Sequence, residues 1–190
     1  MDGGWTVSVC DMDGGWTIIQ QRLAGFTEFD QTWMNYKLGF GKPYEADFWL
    51  GNENIWRLTN AAGIQKPYTL RVELTSAEGE TRFAEYGYFR IEDEYNGYRL
   101  VIGNYSGNAG DAMQTQNGTK FSTGNYDHAM IMNSNCALDR SGGWWFTDCN
   151  HANLNGAYKP GSGHNGIFWD TWKEAIDSIK EVRMMIRRGD

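Results

Sequence analysis

The sequence predicts a single α+β domain: a central, mainly antiparallel sheet of short strands, a few short helices and a large loop-rich lobe. Three observations carry that prediction. The 190 residues include 24 Gly, 9 Trp, 10 Tyr and 9 Phe but only 3 Pro, a composition that describes short strands and tight turns, not a helical bundle or a disordered chain. Successive runs between residues 68 and 105 read as strands separated by short turns, the pattern of an antiparallel sheet. From about 106 to 168 the patterning disappears and Gly, Asn, Ser and Asp dominate; an irregular stretch that long inside a compact domain carries function.

Met-Asp-Gly-Gly-Trp-Thr occurs at residues 1–6 and again at 12–17. Two copies so closely spaced, with no third, cannot build a repeat architecture, which needs a unit of roughly 20 residues or more. Trp16–Arg22 then reads as a strand of mixed polarity. Phe29–Phe40 reads as a short helix with Asp30 or Thr32 as its cap and Gly39 as its stop. In Tyr68–Leu74, Leu70, Val72 and Leu74 face one way and Thr69, Arg71 and Glu73 the other, a half-buried strand. Thr81–Ile91 and Tyr98–Tyr105 continue the sheet around the acidic turn 92–97. The segment from Trp169 to Arg187 is ambiguous: Ile176, Ile179 and Val182 fit a helix, whereas Val182, Met184 and Ile186 alternate as in a strand.

The formal charge of −7 and the single short basic cluster, Arg183, Arg187 and Arg188, argue against nucleic acid, which demands a basic stripe. No apolar run approaches the roughly 18 residues that would insert in a membrane, and no leader core is present, so secretion would require a leader already removed. Cys136 and Cys149 enclose a Gly- and Trp-rich stretch with little local helix or strand signal. A disulfide is favoured there over two separate buried thiols, and a metal site is disfavoured for want of a second Cys pair or a nearby His pair. Cys10 is left odd. The triplets Asn104-Tyr-Ser106 and Asn117-Gly-Thr119 are glycosylation acceptors in form.

Nine stretches in order then become recognisable: Cys10-Asp-Met12 with Gly14–Thr17, Phe48–Asn52, Tyr105–Asp111, Lys120–Thr123, Asn135–Ala137, Gly142–Trp145, Asn153–Gly156, Gly166–Trp169 and Met184–Arg187. On these residues the chain resembles, over nearly its whole length, the fibrinogen-like C-terminal domains of ficolins, tachylectins, tenascins, angiopoietins and fibrinogen. The tail is most similar to that of fibroleukin and the angiopoietin-like proteins. The resemblance implies the fibrinogen C-terminal-like fold and places the second Met-Asp-Gly-Gly-Trp-Thr in the fold. Residues 1–11 then stand as the remnant of a truncated N-terminal lobe that would have held the partner of Cys10. Residues 12–105 and 169–187 form the sheet lobe, and 106–168 the ligand-binding lobe. It also implies that Met184–Arg187 is a strand inserted into the central sheet.

Members of the family hold calcium in an Asp-x-Asp loop after Phe-Ser-Thr. Here, counting from Phe121 puts Asp127 and Ala129 on the two carboxylate positions, and counting back from Cys136 puts His128 and Met130 there. At most one carboxylate survives, with Asn125 as a helper, so any Ca2+ site is degraded. The family's acetyl pocket lies beside the second cysteine and often has a cis peptide before it, here Asp148–Cys149. Its lining is altered: Arg140 replaces an aromatic, Asn150 the usual His with His151 one place later, and Gly163 and His164 a Tyr-Ala wall. Arg140, Asn150 and His164 suit an anionic or peptide group instead.

Trp144, Trp145 and Phe146 read as core in preference to a sugar-stacking platform. Gly161–Gly166 matches a dinucleotide fingerprint in letters but follows Pro160 rather than a strand. The terminal Arg188-Gly-Asp190 reads as chance. His128, His151 and His164 sit in no catalytic pattern, and the resemblance implies a non-enzymatic protein. The expected function is a secreted recognition module that binds a protein receptor or matrix partner through the 106–168 lobe. The alternative is an innate-immune lectin for acetylated cell-surface glycans. Oligomers are expected only through segments outside this sequence.

Overall fold

A computed structural model describes residues 15–23, 25–43, 45–61, 66–128, 134–158, 166–172 and 179–189. Cys10, the first copy of the duplicated hexapeptide, Gly163, His164, Asp190 and most of the ambiguous helical segment lie outside the described residues.

The elements in chain order are β1 (Thr17–Arg22), α1 (Trp33–Leu38), β2 (Phe40–Gly41), β3 (Phe48–Trp49), α2 (Asn52–Thr59), β4 (Tyr68–Thr75), β5 (Thr81–Ile91), β6 (Leu100–Gly107), α3 (Cys136–Asp139), β7 (Ala152–Asn153), β8 (Phe168–Trp169) and β9 (Glu181–Arg188). Seven strands form one sheet in the order β2-β3-β1-β9-β4-β5-β6, while β7 and β8 pair separately. Every pairing between these strands is antiparallel. The alternation read in β4 is realised: Leu70, Val72 and Leu74 are fully buried, with half-exposed residues between them. The last strand, β9, lies between β1 and β4, with Met184 opposite Gln20 on one side and Val72 on the other. Its two neighbours supply every ladder partner, so Glu181–Arg188 is strand; residues 173–178, where the helical hint is centred, lie outside the described residues.

Helix α1 starts later than the sequence pattern places it. Thr32, not Asp30, is the cap: its hydroxyl accepts from the Asn35 N–H, and Gly39 ends the helix with φ 93°. Helix α2 was not read from sequence. Its inward residues Asn52, Ile55 and Thr59 fall at helical spacing, but two of the three are polar, so the apolar stripe that announces a helix is weak. Gly51 precedes it at φ 104°, and a Cβ there would stand 2.8 Å from the Gly39 nitrogen; only glycine lets the two helix ends meet.

Strand β1 explains how the loop lobe is attached. Its polar residues Gln20, Gln21 and Arg22 are buried, not solvated. Gln20 Nε2 donates to Leu154 O (2.9 Å) and Asn155 Oδ1 (3.2 Å), and an Arg22 amino group donates to Gly156 O (2.9 Å). The Arg22 guanidinium lies 3.9 Å from the Phe29 ring centroid. Burial pulls its pKa down to about 10, against the opposing pull of Asp47, so it stays charged at neutral pH. The mixed polarity of this strand is therefore an anchoring face.

Candidate functional site

The expected crosslink is present: Cys136 and Cys149 are joined, with their Cα atoms 5.0 Å apart. The stretch between them is more regular than its sequence indicates. Cys136–Asp139 form the helical turn α3, capped by the Asn135 side chain, which accepts from the Leu138 N–H. Trp144 and Trp145 are completely buried and Phe146 nearly so, which makes them core and removes them as a sugar platform. The two indoles meet edge to face at 5.2 Å, and Trp145 packs the same way on Phe121 at 5.1 Å. The indole of Trp144 donates to Gln116 Oε1 (2.9 Å), whose Nε2 donates in turn to Ala152 O (2.9 Å). Trp145 Nε1 donates to Tyr98 O (2.8 Å).

Two further residues, Tyr36 and Asn155, fix the frame. The Tyr36 hydroxyl accepts from the Gly143 N–H (3.0 Å) and donates to Phe29 O (2.6 Å), and burial pushes that phenol well above the ordinary tyrosine range. Asn155 Nδ2 donates to Gly143 O (2.9 Å), and a Cβ at Gly142 would lie 2.1 Å from Asn155 O. The two main chains approach so closely there that only glycine fits at 142.

On this frame the predicted pocket residues Arg140, Asp148, Cys149, Asn150 and His151 do come together. Arg140 follows α3 and donates to Asn150 Oδ1 (3.2 Å), while its guanidinium lies 5.7 Å from the Phe168 ring centroid. Burial lowers its pKa, and Asp139 and Asp148 oppose that shift. The Asn150 N–H donates to Asp148 Oδ1 (3.2 Å). His151 is held between two carboxylates: Nδ1 lies 2.9 Å from Asp170 Oδ2 and Nε2 lies 3.5 Å from Asp148 Oδ2. A carboxylate only accepts, so Nδ1 carries a proton. Asp170 gave no signal in the sequence, because the fold alone brings it across to His151.

The expected cis bond is corrected. The Asp148–Cys149 peptide is trans, and the turn is made by left-handed backbone at Cys149 (φ 63°) and His151 (φ 74°). Two non-glycine residues in that region so close together mark a turn set by its surroundings, here the crosslink on one side and the His151–Asp170 contact on the other.

Two exposed apolar side chains, Leu138 and Tyr126, were missed by sequence reasoning. Leu138 of α3 is 58% exposed and Tyr126 53%. Leu138 packs over Gly124, where a Cβ would lie 2.8 Å from its Cδ2. Tyr126 pairs with Trp33 at 4.8 Å and with His128 at 4.8 Å. The turn is closed by reciprocal backbone bonds between Thr123 and Tyr126. A single apolar residue in a helical turn carries no sequence sign of facing solvent.

The calcium expectation falls on the same turn. Asn125 Oδ1 accepts from the Trp33 N–H (2.9 Å) and from Thr123 Oγ1 (3.0 Å), so it is committed to the protein. Asp127 is the one carboxylate among residues 121–128. Among the described residues of this loop, one carboxylate and a twice-bonded amide oxygen stand against the 6–8 oxygen ligands that calcium takes; residues 129–133 lie outside the described residues. Among the described residues no group of three His, Cys, Asp or Glu could hold a metal, and no helix is long and apolar enough to cross a membrane.

Comparison with known proteins agrees with this architecture. Angiopoietin-related protein 7 from Mus musculus is 48% identical over 190 residues, covering 97% of this chain and 51% of the relative. The chain thus spans about half the length of the curated relatives it matches. Among solved structures, the fibrinogen-like globe domain of human ANGPTL2 superposes with a TM-score of 0.86 at 42% identity, covering 94% of this chain and 83% of that one. A lamprey fibrin D-dimer complexed with the peptide ligand Gly-His-Arg-Pro-amide superposes at 0.83 and 34% identity, covering 90% of this chain and 61% of that one. The family model for the C-terminal globular domain of the fibrinogen beta and gamma chains matches residues 4–189, and with the seven-stranded sheet and the crosslinked lobe this establishes that the protein belongs to the fibrinogen C-terminal domain family.

Proposed function

We propose that this protein is a non-catalytic, extracellular recognition module that binds a protein partner through its loop lobe. The contact surface is the Asp148–His151 turn together with the exposed side chains of Leu138 and Tyr126. The observation that carries this reading is the exposure of Leu138 and Tyr126 on a frame tied down by a disulfide and buried tryptophans. Large exposed apolar side chains rimmed by polar groups are the makings of a protein interface. The rim holds three carboxylates, Asp139, Asp148 and Asp170, against Arg140 and His151, so a partner with a basic side chain is the electrostatic complement. A relative of the same fold was solved with a peptide ligand that contains His and Arg. An oxidising location accords with the crosslink.

The test is a screen of the full chain, secreted behind a supplied leader, against an array of secreted and cell-surface protein ectodomains and a parallel array of acetylated glycans, each with and without EDTA. Capture of an ectodomain that is lost in Leu138→Asp and weakened in His151→Ala supports the proposal. Binding confined to acetylated glycans, unaffected by Leu138→Asp, overturns it in favour of the lectin reading.

A further inference from the structure

A sheet has two edges, and this one guards them unequally. At one end β2 is only two residues long, and a short edge strand offers little to pair with. At the other end β6 is eight residues long and bonded on one side only, to β5. Its outer side is capped by the protein at the start: the Leu100 N–H donates to Thr119 O, Gly118 N–H donates to Leu100 O, and Ile102 N–H donates to Asn117 Oδ1 (3.0 Å). Asn104 and Ser106 come next along β6. There the capping segment ends, and a cavity of about 280 Å3 opens, whose lining includes Tyr86, Ile102, Tyr105 and Asp111 together with Asn104 and Asn117.

These two asparagines are the acceptors of the two Asn-x-Ser/Thr triplets in the sequence. Both are exposed. Asn104 adopts φ 59°, a region Asn tolerates better than most residues, and its side chain has no hydrogen-bond partner among the described residues. Asn117 engages the strand through its oxygen alone, which leaves its amide nitrogen for a bond outward. We propose that Asn104 and Asn117 are a pair of N-glycosylation sites whose glycans roof the uncapped end of β6 and keep the sheet from pairing edge to edge.

The modification draws on a lipid-linked oligosaccharyl pyrophosphate. The Asn amide nitrogen bonds to the anomeric carbon of the sugar, the bond from that carbon to the pyrophosphate oxygen breaks, and the amide gives up one proton as the lipid pyrophosphate leaves. The proposal rests on the extracellular reading only in that the protein must meet the transferase, so the experiment supplies the leader and leaves partner capture out of the readout.

The full chain is secreted from eukaryotic cells behind that leader, and glycopeptides are measured by mass spectrometry. Modified peptides at both Asn104 and Asn117 are expected, and an unmodified peptide at either overturns the pair. Self-association is then compared by light scattering between the wild type and the variant Ser106→Ala/Asn117→Asp. This variant loses both sites but keeps an oxygen for the Ile102 N–H, and its added negative charge works against association. Several-fold greater self-association of the variant is expected; an unchanged level overturns the screening role. Should the variant fail to fold, wild type trimmed by endoglycosidase to one sugar per site gives the same comparison with the same two outcomes.

Discussion

Gln116→Leu is the sharpest test of how the irregular lobe is held. Gln116 is fully buried and bridges two otherwise stranded groups, accepting from the Trp144 indole and donating to Ala152 O, each at 2.9 Å. Leucine fills nearly the same volume, so a cavity adds little. What remains is a buried indole N–H and a buried carbonyl with no partner, at about 1–3 kcal/mol apiece. The apolar gain from leucine offsets part of this, and a net loss of about 3 kcal/mol is expected, which for a protein of this size lowers the Tm by roughly 6–12 °C. Urea unfolding followed by tryptophan fluorescence measures it, and the slope against urea should hold steady, because the surface exposed on unfolding is unchanged. Trp144→Phe supplies the second arm of a double-mutant cycle, in which the two substitutions share one hydrogen bond and should couple by about 0.5–3 kcal/mol. A single-variant loss below about 1 kcal/mol, or strict additivity in the cycle, would refute the claim that this side chain stands in for a ladder bond.

Other perturbations have equally direct readings. Replacing both Cys136 and Cys149 by Ala opens a link of sequence separation 13 and should destabilise the protein by about 3 kcal/mol through the unfolded state; a loss confined to partner capture, with unfolding unchanged, would contradict that account. Tyr36, Tyr86 and Tyr98 are buried, and burial first, reinforced at Tyr86 by Asp111 and at Tyr98 by Glu53, raises their phenols above the ordinary value. Folded phenols that ionise later than unfolded ones stabilise fully below about pH 10, and that stability is lost as pH rises beyond it. Titration by absorbance should therefore show these three ionising only as the protein unfolds, and reversible ionisation of every tyrosine in the folded state would be the contrary result. Calcium should leave the Tm unchanged, because Asn125 is spent and Asp127 is the one carboxylate in that stretch; a rise that EDTA reverses would restore the ion to this loop.

Much of the sheet was legible because its strands obey local rules. The alternation of β4, the cap-and-glycine bracket of α1 and the extent of β5 are written in neighbouring residues. Strand β9 was ambiguous by its own residues, whose apolar positions satisfy both periods; the resemblance placed Met184–Arg187 in the central sheet, and there it lies, between β1 and β4. In the site, Arg140, Asp148, Asn150 and His151 could be named from a resemblance, but their geometry could not. Asp170 reaches His151 through the β7–β8 pairing, and no spacing rule connects residues 19 apart in an irregular stretch. Leu138 and Tyr126 escaped for the opposite reason, since sequence patterning assigns apolar residues to the core unless a period says otherwise.

The lobe raises a question that the sheet does not: how a segment with so little regular structure keeps one shape. Its backbone groups must find partners that a ladder would otherwise supply, and the partners here are buried side chains, some from β1 and α1 and some from within the lobe itself. Gln20 and Arg22 serve Leu154 and Gly156, Tyr36 serves Gly143, Gln116 serves Ala152, and Asn155 returns to Gly143. Each of these bonds comes from a buried polar residue whose alternative is an unsatisfied group, so the lobe is specified by many individually costly errors. That arrangement has a functional consequence. The buried donors fix the path of the backbone, while Leu138, Tyr126, Asp148 and Asn150 make few or none of those bonds and stand outward. The proposed contact surface is thereby free to change its chemistry without disturbing the frame, which is the condition under which one fold serves many partners.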